Sequence, residues 1–158
     1  MSKALVAYFS ASGVTARLAE RLADAIDADI TAIEPSQPYS RADLNWQDTK
    51  SRSSVEMNDR NCRPGIVRKN LDMSRYDEVF VGFPVWWYRE PSVVDTFMET
   101  YDFQGKVIIP FATSGMSGIG DSGKNLQALV PGARVVAGQR FDANTLGHVL
   151  ADWAKEWV

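Results

Sequence analysis

The chain has 158 residues and little of what marks a specialised class. It has one cysteine, Cys62, which excludes a disulfide within the chain. It has one histidine, His148, and no cluster of residues with metal-ligand spacing, so no metal is expected. The charge excess is small, −3, which argues against nucleic acid or an anionic membrane surface as partner. No apolar run approaches the roughly 20 residues that cross a bilayer, and the N-terminus lacks the basic-then-apolar pattern of a secretory signal. With the lone thiol, these absences point to the cytoplasm. Internal repeats and low-complexity tracts are also missing. What remains is a 45% hydrophobic chain of a length that suits one domain, residues 1–158. Tryptophan runs against this sparseness. There are five, and Trp46, Trp86 and Trp87 fall in or near predicted loops, where core packing does not require them.

Residues 3–9 are apolar almost throughout and read as a buried parallel strand. Residues 14–26 carry Leu18, Leu22, Ala25 and Ile26 at helical spacing, with charges opposite. Residues 30–33 form a short second strand ended by Pro35. Strands are also predicted at 78–83, 106–112 and 133–137, with an irregularity at Pro110. Helices are predicted after Pro91, around 126–129, and over 144–157, the last with Leu146, Val149, Leu150, Trp153 and Trp157 on one side. Between them lies a polar segment, 35–73, with one possible helix over 43–57 and otherwise a solvated excursion. A long stretch without regular structure inside a compact domain is often functional. The alternation of strands and helices gives an α/β fold with a mainly parallel sheet covered on both faces.

Three loops carry the chemistry, and each follows a predicted strand. All three therefore project from the carboxyl edge of the sheet, where ligands of such folds bind. The first, Ser10-Ala-Ser-Gly-Val-Thr15, joins a strand to a helix N-terminus, whose free N–H groups and dipole favour an anion. It has neutral hydroxyl donors and no lysine, which suits a phosphate monoester held for binding. The alternative is an ordinary turn with Ser12 as helix N-cap. The second loop, Pro84-Val-Trp-Trp-Tyr88, sets three aromatics in a row. At least one tryptophan should pack inward, and the others can wall a flat ring. The third, Thr113 to Gly120, is glycine-rich and lets backbone approach a ring edge. Together they fit a phosphorylated planar heterocycle.

Residues 118–124 contain G-x-x-x-x-G-K, but Asn125 stands where a magnesium-binding hydroxyl belongs. They also contain G-x-G-x-x-G, but residues 113–117 separate it from the strand. Both motifs are read as coincidental. Cys62 has no histidine nearby in sequence and is not read as a nucleophile; His148 is read as structural.

The stretches Tyr8-Phe-Ser-Ala-Ser-Gly-Val-Thr15, Gly82-Phe-Pro-Val-Trp-Trp-Tyr88 and Pro110-Phe-Ala-Thr-Ser-Gly115 with Gly118-Ile-Gly120 resemble the flavodoxin-like superfamily, in particular its short FMN-binding bacterial members. Segments of 43–59 are similar too. The resemblance covers almost the whole chain. It implies a three-layer sandwich with a five-stranded parallel sheet in the order 2-1-3-4-5, and non-covalent FMN. By position, Ser10, Ser12, Gly13, Val14 and Thr15 would hold the phosphate. Pro84, Val85, Trp86, Trp87 and Tyr88 would border the isoalloxazine, and Thr113, Ser114, Gly115 and Gly118 would meet its other edge. No side chain is named as catalytic. Electron-carrier flavodoxins are strongly acidic around the flavin, whereas this chain is nearly neutral, with Arg89 and Lys124 beside Glu90 and Asp121 in the proposed loops. Two functions follow. One is electron transfer through FMN to a redox partner protein. The other is an NAD(P)H-dependent reductase of a small, quinone-type acceptor. A binding module for another phosphorylated ligand is the reading outside redox chemistry.

Overall fold

Apolar runs and helical periods alternate along the chain, and the computed structural model, which describes residues 3–114 and 117–158, turns that alternation into three layers. The order is β1 (Lys3–Tyr8), α1 (Val14–Ile26), β2 (Asp29–Ala32), α2 (Arg52–Met57), a 3-10 turn (Met73–Arg75), β3 (Tyr76–Pro84), α3 (Ser92–Thr100), β4 (Val107–Thr113), α4 (Ser122–Leu129), β5 (Arg134–Val135), β6 (Gln139–Phe141) and α5 (Gly147–Ala154). The strands pair in parallel in the order β2-β1-β3-β4-β5, and β6 runs beside the far half of β4. This is the anticipated order, with six strands in place of five.

Alternate residues of each strand enter opposite cores. Leu5, Val79, Val81, Phe83 and Ile108 meet Val93, Val94, Phe97, Met98 and Leu126 on one face. Val6, Phe80, Ile109 and Phe111 meet Leu18, Leu22, Leu150 and Ala154 on the other. Each such buried Val, Leu, Ile, Phe or Met side chain contributes about 1.5–3 kcal/mol. Gly82 in β3 is a packing requirement, since a Cβ there would fall 2.2 Å from the Phe111 ring.

The sixth strand has a local cause. Pro110 was expected to disturb its own strand, yet β4 keeps unbroken register with β3, Val81 opposite Pro110. The disturbance falls on the neighbour. Pro110 has no N–H to give to the strand at its free side. There Val136 N still donates to Ile108 O (3.0 Å), and then the ladder lapses until Gln139 pairs with Phe111. Gly138 crosses the gap at φ 76°, so close that a Cβ would lie 2.3 Å from the Pro110 carbonyl oxygen. Of the strand predicted over 133–137 only β5 (Arg134–Val135) forms; β6 (Gln139–Phe141) lies beyond the predicted range, across the gap beside Pro110.

Two helix predictions also shrink. The possible helix over 43–57 forms only as α2, six residues capped by Ser51, whose Oγ accepts from Ser54 N. Upstream, Ser40 and Asp43 bond each other's backbone N–H, and Asn45 Oδ1 and Asp48 Oδ1 accept from Gln47 N and Lys50 N. Such local side-chain bonds compete with helix formation. The closing helix spans Gly147–Ala154; Leu146 and Val149 face solvent, and only Leu150, Trp153 and Trp157 of the predicted stripe reach the core. The excursion is pinned at its base, where Ser36 N donates to Gly65 O (2.9 Å) and Val67 N to Glu34 O (2.7 Å). Among the described residues, no helix is long and apolar enough to cross a membrane.

Candidate functional site

The three loops meet at the carboxyl edge of the sheet. Thr15 and Thr113, both buried, share a hydroxyl–hydroxyl hydrogen bond of 2.8 Å that ties the first loop to the third. Val85 N donates to Thr113 O (3.0 Å), which ties the second to the third. Phe9 and Trp86 touch edge to face with centroids 5.5 Å apart, which ties the first to the second.

The first loop leads into the N-terminus of α1, whose free N–H groups can face an anion, and its hydroxyls do not form a free row. Gly13 enters α1 at φ 91° and is its N-cap, with no side-chain cap, so the Ser12 cap is not formed. Ser10 Oγ accepts from Gly13 N at 3.0 Å and shapes the turn. Thr15 is engaged with Thr113, while Ser12 is exposed. The first turn of α1 has no acidic residue. Arg17, one turn in, brings Nη1 to 3.7 Å from where a Cβ would sit on Gly13. It is an exposed cation at the loop that the sequence reading passed over, because it falls outside the loop in sequence.

The second loop is a two-residue turn. Trp86 N donates to Arg89 O (3.0 Å) and Arg89 N to Trp86 O (3.1 Å), with Trp87 and Tyr88 at the corner. Both corner residues have positive φ, 48° and 64°, the type I′ conformation that bulky residues rarely take. Such strain persists where surrounding structure imposes it. Here Gly120 holds the turn from behind: its φ is 64°, and a Cβ would fall 2.0 Å from Tyr88 O. Asp121 N also donates to that oxygen (3.4 Å). The turn leaves Tyr88 75% and Trp87 38% exposed, while Trp86 packs inward as expected of one tryptophan.

The third loop is anchored by a residue missed from sequence. Arg140 of β6 donates from Nη2 to Ser114 O (2.8 Å) and from Nε to Ser114 Oγ (3.1 Å), and Ser114 in turn donates to Ser117 O. Gly118 is exposed, and none of the described residues occupies the space of a Cβ there. Gly115 lies outside the described residues.

The polar excursion supplies a wall that sequence did not assign. Tyr39 sets its ring edge-on to Phe9 (5.7 Å) and Trp86 (5.5 Å), donates its hydroxyl to Glu56 Oε1, and lies under the Arg52 guanidinium (3.9 Å). Burial, then the Glu56 carboxylate, push the Tyr39 hydroxyl well above the usual phenol range. This docking places Leu44, Trp46 and Ser53 opposite Val85, Trp86, Trp87 and Tyr88, around a cavity of about 280 Å³ that Ser117 completes. None of these eight lining residues carries a charge.

Arg89 and Glu90 were expected beside the ring. Neither lines the aromatic pocket; both are buried in an ion cluster with Asp95. Arg89 is buried and donates to Met57 O (3.1 Å) and Glu90 O (3.1 Å), with Asp95 Oδ2 at 3.6 Å. Glu90 and Asp95 lie with Asp121 and Lys124 around a second cavity. Burial, then the adjacent Glu90, hold the Asp95 carboxyl well above the usual range. Cys62 is raised too, by burial and then by Glu56 and Asp59, which makes it a poor nucleophile. His148 is exposed on α5, remote from all of this. Among the described residues no group of side chains could hold a metal ion.

No curated protein matches the chain. A protein from Bacteroides eggerthii described as a flavoprotein is 44% identical, with a TM-score of 0.92 over 99% of this chain and 98% of its own. A similarly described protein from Bacteroides uniformis is 44% identical, with a TM-score of 0.91 over 98% of each chain. A flavoprotein of Lactobacillus acidophilus, solved in complex with FMN, shares the fold at 22% identity and a TM-score of 0.69, over 89% of this chain and 93% of its own. The model of a flavodoxin family matches residues 3–157, and the chain belongs to that family.

Proposed function

We propose that the protein binds FMN non-covalently and passes electrons through it. The observation that carries this reading is the pairing of two features at one sheet edge: an uncapped helix N-terminus and an uncharged aromatic pocket. The backbone of Ser12, Gly13, Val14 and Thr15, with the hydroxyls of Ser10 and Ser12, holds the phosphate; Arg17 neutralises part of its charge. Pro84, Val85, Trp86, Trp87 and Tyr88 border the ring. Thr113, Ser114 and Gly118 meet its far edge, with Gly115 placed there by resemblance alone. When bound, FMN supplies the redox chemistry. The protein positions it, excludes water from one side and sets its electrostatics.

The lining bears on that last role. A carboxylate beside a ring disfavours negative charge on it by Coulomb repulsion. With no carboxylate among the described lining residues, that penalty is small, and the site tolerates a reduced, anionic ring. The exposed Trp46, Trp87 and Tyr88 around the mouth favour a second reading, in which NAD(P)H and a small planar acceptor are the partners rather than a redox protein. Anaerobic mixing of the FMN-loaded protein with NADPH separates them. Rapid bleaching of the yellow band supports the reductase, and inertness supports the carrier. Purified protein that is colourless and takes up no FMN would contradict both.

A further inference from the structure

Three serines lie together at the start of α2, and all are at least nine-tenths buried: Ser51, Ser53 and Ser54. Two of them are used by the fold. Ser54 Oγ donates to Asp48 O (2.8 Å), and the Ser51 and Ser54 hydroxyls bond each other (2.9 Å). Ser53 is different. Its backbone N–H donates to Asp43 O (3.0 Å), but among the described residues its Oγ has no hydrogen-bond partner. A buried hydroxyl left unpaired destabilises the fold that holds it, and natural structures rarely leave one so. Ser53 is also the only one of the three that lines the aromatic pocket, beside Val85, Trp86 and Trp87.

We propose that Ser53 is a ligand-positioning residue, whose hydroxyl donates a hydrogen bond to an acceptor atom on the polar edge of the ring seated in that pocket. This rests on the FMN reading above. Among the described residues of the wall the other side-chain donors, on Trp46, Trp87, Tyr88 and Ser117, belong to exposed residues, and Trp86 packs edge-on against Phe9 and Tyr39, so a ring's rotation in the pocket is loosely set without the buried Ser53 hydroxyl. One donor at a fixed place fixes that rotation. The excursion thereby does more than cover the site; through Tyr39 against Phe9 and Trp86 it brings a specific donor to it.

The test uses Ser53→Ala, with Ser54→Ala as the structural control. Thermal unfolding of the ligand-free proteins is measured first. Ser53→Ala should leave the midpoint unchanged or raise it, because it removes an unpaired polar atom, whereas Ser54→Ala should lower it. Titration with FMN, and then with riboflavin, which lacks the phosphate, follows. Ser53→Ala should weaken both by about the same factor, roughly tenfold, and shift the absorption of the bound flavin. Equal affinity of Ser53→Ala and wild type for both flavins would overturn the inference while leaving the FMN reading intact, as would a loss of ligand-free stability matching that of Ser54→Ala. Wild-type protein that takes up no FMN would overturn both.

Discussion

The sheet and the polar excursion between β2 and β3 meet at one pocket, yet they are held by different forces. The sheet is cohesive through apolar burial: Val6, Val79, Phe80, Val81 and Phe111 are fully enclosed, and a single added methyl group at Gly82 has nowhere to go. The excursion buries little carbon. It is held by a Tyr39–Glu56–Arg52 hub, by serine caps and by the backbone clasp between 34–36 and 65–67. Hydrogen bonds and part-exposed ion pairs contribute about 1 kcal/mol each, so the excursion should open well before the sheet does. On the FMN reading proposed above, the sheet-borne loops seat the ligand, and the excursion encloses it and adds Ser53.

Gly82→Val attacks the sheet and should have the largest effect. It overpacks against Phe111 and should cost about 3 kcal/mol or more in urea unfolding, taking the excursion down with the sheet. Trp86→Ala attacks the seam. Loss of its edge contacts with Phe9 and Tyr39 should cost about 2 kcal/mol and speed amide hydrogen exchange in residues 39–57. Glu56→Gln attacks the excursion alone. It weakens the bonds from Tyr39 and Arg52, about 1 kcal/mol, and exchange should quicken in 39–57 while the amides of β3 and β4 keep their protection. Uniform quickening across both regions would erase the distinction.

The smallest effect concerns the buried acid behind the aromatic turn. Asp95 titrates higher in the folded chain than in the unfolded one, chiefly through burial and then Glu90. Between 3.8 and about 9 the folded state therefore holds more proton than the unfolded state, and stability should fall as pH rises through that window. Asp95→Asn should flatten this slope, gaining about 1 kcal/mol at pH 8 relative to wild type and less at pH 5. Thermal midpoints across that range check it; an unchanged slope would show that Asp95 is not the source.

Much of this was legible in the sequence. Apolar runs located the strands, and the position of three unusual loops after strands 1, 3 and 4 put them on one rim without any contact being known. Other features depend on distance in space. Arg140 is 26 residues from the Ser114 that it fixes, and Tyr39 reaches Trp86 from a segment whose composition reads as solvent-exposed. The break after Val135 was half readable: Pro110 announced a missing donor, but which strand would yield depended on which side its nitrogen faced. The fragmentation of the 43–57 helix was readable in principle, since Ser40, Asp43, Asn45 and Asp48 are residues that bond their own backbone.

On the reading proposed above, the sheet-borne loops and the docked excursion form one receptacle for FMN. Titration of FMN fluorescence with the ligand-free protein tests it most directly. Quenching should saturate at one FMN per chain, as the ring settles against the tryptophans, with weaker binding of riboflavin. Fluorescence that stays unchanged at every protein concentration would contradict it.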